Sequence, residues 1–465
     1  MSEAKYITGP LAIHIREGMI AASLGMVAIF LVDLVDMAFI AQLGEPALAA
    51  SVGFAGILLF FASALGMALS VASSTLVSQA LGRDDTTGAA QAFLDVTLVG
   101  LVLSVLVAVV AHIYARPLLA LLGAEGMVLD EAQSYFRIVN LGMPMLVVGM
   151  CSGAALRGAG LVRKSMIATL VGGALNAVFD PIFIFGFNWG LEGAAYATLL
   201  SRVGVVGLGL YFAVVQQGLL KGCRLADVFS SLGPVMAIGI PSLIASLSTP
   251  FGSAYVTRAL APYGEEVIAG VSVFGRLMPL AFVGILTLAM TMAPIVGQNF
   301  GADRRDRVGR ALVLAGGISL GYVLVVATLL SFLAPWLVAA FQLEGTAADI
   351  LIFYCRLISF TYVFFGLHIS ATQTLTAMGR PLLATISNLT RDLALAIPLI
   401  AWASTFNTPT AIIWAQYGAT IITGFLTYGL TLLYIHRSLI SSVNAQVSTY
   451  CYHRPVTPYI PSRGH

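Results

Sequence analysis

Long apolar runs, separated by short charged or Gly/Pro-rich breaks, dominate the chain. A helix needs roughly 20 mostly apolar residues to cross a bilayer. Six runs of at least that length lie in the first half, at 18–42, 48–80, 90–115, 132–156, 165–187 and 191–215. Six more follow at 233–258, 266–298, 309–335, 347–375, 381–405 and 409–436. The pattern predicts twelve transmembrane helices, with boundaries that can move by several residues.

Composition supports this prediction. Of the 465 residues, 59% are hydrophobic and only 9% are charged, whereas soluble domains carry about 25% charged residues. Lipid must therefore solvate most of the chain, which predicts an all-α polytopic membrane protein. The lipid bilayer is the expected partner, and the net charge of +2 gives no reason to expect nucleic acid.

The positions of the basic residues predict the orientation. If the amino terminus is cytoplasmic, the termini and the loops on that side hold sixteen Lys and Arg residues. The opposite side holds two, Arg116 and Arg258, and the remaining five lie within the predicted helices. Cytoplasmic loops are enriched in Lys and Arg. Both termini are therefore expected to face the cytoplasm.

The two halves of the chain repeat the same pattern. Gln79 and Gly82 end one apolar run and Gln298 and Gly301 end another, at an offset of 219 residues. Each half has six runs, so the repeat predicts two six-helix bundles related by a pseudo-two-fold axis along the membrane normal, as in many secondary transporters. The expected organisation is a cytoplasmic segment at 1–17, an N-lobe at 18–215, a cytoplasmic linker at 216–232, a C-lobe at 233–436 and a cytoplasmic tail at 437–465.

Several ionisable residues lie within the apolar runs, where charges are costly and usually mark a functional site. The first run contains Asp33 and Asp36 in "LVDLVDMAFIAQLG". Because they are three residues apart, they share much of one helix face. A later run contains the pair Arg391 and Asp392, for which we expect mainly a structural ion pair.

The fifth and sixth runs add polar groups of the N-lobe. Asn176 and Asp180 are four residues apart and lie on one helix face. Pro181 follows and removes a backbone donor, which frees a carbonyl one turn earlier. Thr198 brings a hydroxyl group to the sixth run. Oxygen ligands of this kind suit a proton or a small hard cation.

The stretches "LVDMAFIAQLG", "NAVFDPIFIFGFNWGLEGAAYAT" and "IVGQNFGA" occur in the order found in the multidrug and toxic compound extrusion (MATE) family. The sequence resembles that family over roughly residues 10–437. The resemblance implies a secondary transporter, not an enzyme, that exports amphipathic, often cationic drugs or toxic compounds by alternating access. It also implies a monomer in the bacterial inner membrane, with no cofactor beyond a coupling ion, H⁺ or Na⁺.

The resemblance also assigns roles to residues. It makes Asp36 a coupling carboxylate and adds Asn176, Asp180 and Thr198 to the same proton or Na⁺ site. Asp33 matches no motif position and is a secondary candidate. The repeat counterpart of Asp36 is about Val256, in a stretch without acids, which favours the branch of the family that resembles DinF.

The first run departs from the family pattern at one position. Related proteins often carry a proline about four turns before the coupling aspartate, where bending has been proposed, but this chain has Ala21 there. The repeat counterpart, Pro241, keeps the proline, and Gly18 and Gly25 flank Ala21. A proline-centred bend of the first helix is therefore not expected.

Three other functions compete with drug export. A lipid-linked sugar flippase of the same broader superfamily would gather membrane arginines in one cavity, whereas here they are scattered along the sequence: Arg137, Arg202, Arg276 and Arg356. A membrane enzyme is disfavoured because HExxH, GxSxG and GxxxxGK[ST] motifs are missing. A channel would conduct without a coupling gradient, which transport measurements can distinguish.

Overall fold

The computed structural model describes residues 4–43, 45–224, 228 and 232–452, with side chains described up to residue 439 apart from 33, 38, 41 and 46. Within this part all regular secondary structure is helical. The N-lobe comprises α1 Leu11–Gln42, α2 Pro46–Gly82, α3 Thr86–Ile113, α4 Ala115–Leu121, α5 Gly126–Leu141, α6 Met143–Gly158, α7 Val162–Pro181 and α8 Gly190–Leu210. The C-lobe comprises α9 Leu232–Leu260, α10 Glu265–Ala281, α11 Val283–Gly301, α12 Arg305–Ala340, α13 Gly345–Phe353, α14 Ser359–Ala377, α15 Pro381–Leu389, α16 Ala396–Ala403 and α17 Pro409–Tyr452.

The count of spans agrees with the sequence pattern. Eleven helical stretches of the described chain are long and apolar enough to cross a membrane. The pair α5 and α6 makes a twelfth if it is one span bent by 47°. The all-α polytopic fold is thus confirmed. The lobe and linker boundaries stay predictions, and α17 continues through Tyr452 into the predicted tail, whose residues 453–465 lie outside the described part.

Two apolar runs that predicted single helices are broken. The run at 132–156 bends at Gly142. Pro144 lies in the first turn of α6, and Arg202 Nη1 donates to the carbonyl of Val139 at 2.7 Å. The run at 266–298 forms α10 and α11. Hydropathy does not reveal such breaks. The side chain that bonds the freed backbone groups can belong to a helix that is distant in the sequence, so the apolar run itself shows no sign of the break.

At the second break the bonding side chain is Tyr322 of α12. Its hydroxyl donates to the carbonyl of Ala281 at 2.8 Å and accepts from the amide of Gly284 at 3.2 Å. Backbone groups interrupted within a membrane must be satisfied by protein. Tyr322 therefore replaces the helical hydrogen bonds that are lost between α10 and α11.

The lobes meet mainly through α1 and α2 on one side and α9 and α11 on the other. We call one end of the bundle the terminal face; it is the end where Tyr6, Gln79, Gln298 and Ser438 lie. Arg305 Nη1 bonds the Ser438 carbonyl there at 2.9 Å, which joins the start of α12 to α17. The charge bias predicts that this face is cytoplasmic.

The lobes are tightly closed at the terminal face. Gln79 Nε2 donates to the carbonyl of Ala377 at 2.7 Å, and Gln298 Nε2 donates to the carbonyl of Gly158 at 2.8 Å. Both bonds cross between lobes. Closer to mid-membrane, Ser23 Oγ and Thr287 Oγ1 are 2.9 Å apart.

The segment before α1 adds to this closure. Arg307 Nη2 donates to the carbonyls of Tyr6 and Gly9, at 3.1 and 3.0 Å. The Tyr6 amide donates to Gln298 Oε1 at 2.9 Å, and Tyr6 is only 2% exposed. The segment before α1 is therefore hydrogen-bonded to the C-lobe, although the helix that follows it belongs to the N-lobe.

Candidate ion-coupling site

The site of interest forms where α1 packs against α7. A Cβ atom at Gly173 would lie 3.1 Å from Val32 Cγ2, so the two helices approach closely at this level. Further along, the rings of Phe39 and Phe185 meet edge to face with centroids 6.1 Å apart. Asp36 lies between these two contacts in the sequence of α1. The packing of α1 on α7 therefore sets the position of Asp36.

Three of the predicted residues come together. The carboxyl groups of Asp36 and Asp180 lie next to each other. Asn176 Nδ2 donates to Asp180 Oδ1 at 3.1 Å. Asp180 is fully buried, Asn176 is 9% exposed and Asp36 is half-buried. Two adjacent carboxyl groups in a buried place disfavour two negative charges, because like charges repel and burial removes water. This pair therefore favours uptake of a proton or a cation.

The backbone beyond Asp180 is tightly packed. Pro181 ends α7, and the chain continues as one π-helical turn at Ile182–Gly186. Gly193 of α8 faces this turn, because a Cβ atom there would lie 2.7 Å from the Phe183 carbonyl carbon. Ser201 Oγ of α8 also donates to the Gly172 carbonyl at 2.8 Å. α8 is thereby fixed against the segment that carries Asp180.

Thr198 joins the site through a residue that the sequence did not single out. Its side chain lies close to that of Tyr135 of α5, which is 6% exposed. Asp36, Asp180 and Arg202 all lie within electrostatic range of that tyrosine. A tyrosine within an apolar run looks like an ordinary core residue. Only the repeat gives a signal, since Tyr354 occupies the equivalent position at the 219-residue offset.

The groups present match a hard ion. Carboxylate, amide and hydroxyl oxygens come from Asp36, Asp180, Asn176 and Thr198, and such ligands suit Na⁺ as well as a proton. Among the described residues, no group of three or more His, Cys, Asp and Glu side chains is placed to hold a metal. The side chain of Asp33 lies outside the described part. Its secondary role stays a prediction.

The first helix runs without a break from Leu11 to Gln42, as its lack of proline leads one to expect. The glycines that flank Ala21 serve close packing. A Cβ atom at Gly18 would overlap Thr291 of α11, and one at Gly25 would lie 3.2 Å from Met166 Cγ. These glycines let α1 contact both lobes.

The membrane arginines are divided between the lobes. Arg137 lies in α5 and Arg202 in α8, whereas Arg276 lies in α10 and Arg356 in the π-helical turn Tyr354–Ile358. Arg137 lines an outer cavity together with Asp130 and Glu192, and Arg202 bonds a backbone carbonyl. This division fits the scatter that the sequence predicted.

Comparisons with known proteins agree with this arrangement. A family model described as MatE matches residues 21–182 and 241–402, one match in each lobe. A FAD transporter from Shewanella oneidensis is 28% identical, over 82% of this chain and 85% of that protein. The multidrug export protein MepA from Staphylococcus aureus is 26% identical, over 76% of this chain and 78% of its own length.

Solved structures share the fold. A MATE protein in the bent conformation gives a TM-score of 0.88 at 22% identity and covers 95% of this chain and 100% of that one. An outward-facing multidrug resistance MATE family transporter gives 0.85 at 23% identity and covers 95% and 99%. At these identities the likeness concerns the fold alone.

Proposed function

Because the chain belongs to the MatE family, whose members are secondary transporters rather than enzymes, we propose that it is a cation-coupled antiporter that exports amphipathic, often cationic organic compounds. The observation that carries the proposal is the contact between Asp36 and Asp180 beside Asn176. A multidrug export protein among its relatives supports the substrate class. The FAD transporter among them handles a different compound, so relatives of this chain differ in substrate.

Alternating access needs two conformations that the coupling ion binds with different affinity. Closure of the lobes through Gln79 and Gln298 supports a state that is open on the opposite side. In that state a proton or Na⁺ enters between Asp36 and Asp180 and neutralises the excess charge. Binding of the ion favours release of the exported compound, and the loaded protein then returns to the state open at the terminal face.

The proposed site is confined to the N-lobe. An offset of 220 residues places Asp36 opposite Val256, and the offset of 219 places Asp180 opposite Leu399; both counterparts are apolar. One lobe thus carries the coupling acids while the other has none at the same positions. This asymmetry supports the DinF-like branch, which together with the monomeric state and the inner-membrane location stays a prediction.

The test is substrate efflux from proteoliposomes with a pH gradient and a Na⁺ gradient imposed separately. Asp36→Asn and Asp180→Asn are each expected to abolish gradient-driven export. Asp130→Asn is the matched control, because that exposed carboxylate bonds Arg116 at 2.7 Å outside the site. Full export by a folded Asp36→Asn protein would refute the proposal.

The same assay separates the alternatives. A lipid-linked sugar flippase would move its lipid while the drug gradient stays unaffected. A channel would equilibrate its substrate but would not accumulate it against a gradient. Accumulation driven by only one of the two ions would also identify the coupling ion.

A further inference from the structure

A second polar cluster lies in the C-lobe, where Arg391 and Asp392 form an ion pair between α15 and α16. Arg391 Nε donates to Asp392 Oδ1 at 2.7 Å, and Nη2 donates to Oδ2 at 3.0 Å. Both side chains are only 11% exposed. A buried ion pair is weak evidence for a stabilising role, because desolvation offsets much of the attraction. The pair therefore calls for another explanation.

The repeat provides an internal comparison. The N-lobe residues equivalent to Arg391 and Asp392 are Gly172 and Gly173. Gly173 packs against Val32, while in the C-lobe a Cβ atom at Gly252 would lie 3.3 Å from Asp392 Cβ. In the N-lobe the glycine is on the fifth span and the larger residue on the first, whereas in the C-lobe the glycine is on the first span and the larger residue on the fifth. A six-helix lobe of this architecture therefore packs without the ion pair, so the pair is a special feature of the C-lobe.

The pair lies at the wall of a cavity of about 290 Å³. Its aromatic lining includes Phe282 and Tyr362, whose rings stack with centroids 4.3 Å apart and an interplanar angle of 12°. Tyr417 lies beside Tyr362, and the Arg391 guanidinium lies 5.4 Å from the centre of the Phe365 ring. An aromatic lining of this kind fits an aromatic ring system.

The hydrogen bonds define which polar groups are available in the cavity. Besides the two bonds from Arg391, Asp392 Oδ2 accepts from Ser248 Oγ at 2.8 Å and from Thr249 Oγ1 at 3.0 Å. Three of these four bonds fall on Oδ2 and one on Oδ1, and the adjacent Arg391 charge neutralises the carboxylate. Asp392 therefore attracts a cationic ligand only weakly. Arg391 has five N–H donors, and no hydrogen bond between described residues uses those of Nη1.

We propose that this C-lobe cavity binds the planar aromatic part of a transported compound whose edge carries carbonyl or other acceptor groups, and that Arg391 Nη1 donates to that edge. The inference rests on the proposed function for its role in transport. It narrows the substrate class to acceptor-bearing ring systems and assigns their recognition to the lobe opposite the coupling acids.

The test measures binding to the purified full chain in lipid nanodiscs without any ion gradient. The probes are riboflavin, a neutral planar ring system with a carbonyl edge, and ethidium, a planar cation without one. Arg391→Lys keeps a positive charge beside Asp392 but removes the planar donor pair. We expect it to weaken riboflavin binding about tenfold or more, and ethidium binding less than about twofold. Arg380→Lys, at an exposed arginine that bonds Tyr434, is the matched control.

A double variant, Arg391→Met with Asp392→Leu, removes both charges together, so that neither is left buried and unpaired. It should remain folded and lose riboflavin binding. Unchanged riboflavin binding in either variant, or no riboflavin binding by the unaltered protein, would overturn the inference. The binding assay uses no ion gradient. A failure of ion-coupled export would therefore not affect the riboflavin result, and the coupling proposal and the Arg391 proposal can fail separately.

Discussion

Gln79 and Gln298 occupy equivalent positions in the two lobes, and each donates its side-chain amide to a backbone carbonyl of the other lobe. The two acceptors, Ala377 and Gly158, are equivalent as well, at the same offset of 219 residues. The closure of the terminal face is therefore symmetric down to single hydrogen bonds. A rocking motion must break both bonds to open this face.

Gln79→Ala should shift the protein toward the state open at the terminal face. Loss of one hydrogen bond of about 1 kcal/mol changes a two-state population roughly fivefold. Distances between spin labels at Arg83 and Ala302, just beyond α2 and α11, would measure the shift. Gln42→Ala, at an exposed glutamine at the other end of α1, is the control. An unchanged distance distribution would mean that Gln79 does not restrain the opening.

Tyr135→Phe should reduce gradient-driven export several-fold while the protein stays folded. The change removes only the hydroxyl, which lies close to Thr198 and the two acids. The loss of one hydrogen-bonding group of this kind costs about 1 kcal/mol. The initial efflux rate from proteoliposomes is the measurement. Tyr114→Phe, at the exposed end of α3, should behave as the unaltered protein does. Equal rates for all three would assign Tyr135 a packing role alone.

Gly193→Ala should destabilise the protein by about 1–3 kcal/mol. The added Cβ atom would lie within 2.8 Å of the Phe183 carbonyl, and backbone cannot move aside as a flexible side chain can. Gly207→Ala in the same helix is the matched control, because nothing lies within 4 Å of its Cβ position. Thermal unfolding in detergent compares the two. Equal midpoints would show that α8 can shift at no cost.

Arg307→Ala should loosen the segment before α1. Its guanidinium bonds the carbonyls of Tyr6 and Gly9. Charged hydrogen bonds of this kind contribute about 1.5–3 kcal/mol, so amide exchange in residues 6–9 should accelerate about tenfold or more. Arg310→Ala, at a more exposed arginine 3.8 Å from Asp306, should leave this exchange unchanged. Equal exchange in both variants would contradict the role of Arg307.

Tyr6 provides a pH dependence. Burial, with a smaller contribution from the charge of Glu17, raises its pKa from 10.0 to about 12. The folded state thus favours the neutral phenol. Its contribution to stability is complete below pH 10 and declines as the pH rises toward 12. Melting temperatures of the unaltered protein and of Tyr6→Phe should therefore diverge over that range, with the unaltered protein losing stability. Parallel curves would refute the shift.

The sequence predicted what depends on patterns along the chain. The 219-residue offset identified Gln79 and Gln298 as equivalents, and helical spacing placed Asn176 beside Asp180, as the 3.1 Å bond shows. The sequence did not predict contacts between helices that are distant along the chain. Tyr135 joins Thr198 only because α5 packs against α8, and Tyr322 allows a break that hydropathy does not register.

The closure through Gln79 and Gln298 has an electrical consequence. An elementary charge that crosses the membrane potential gains or loses about 2.3 kcal/mol per 100 mV, but these bonds join neutral amides to neutral carbonyls. The membrane potential therefore does almost no work when they break. If the proposed function holds, voltage acts on the transport cycle through the ion at Asp36 and Asp180, and these two hydrogen bonds stay equally strong in polarised and depolarised cells.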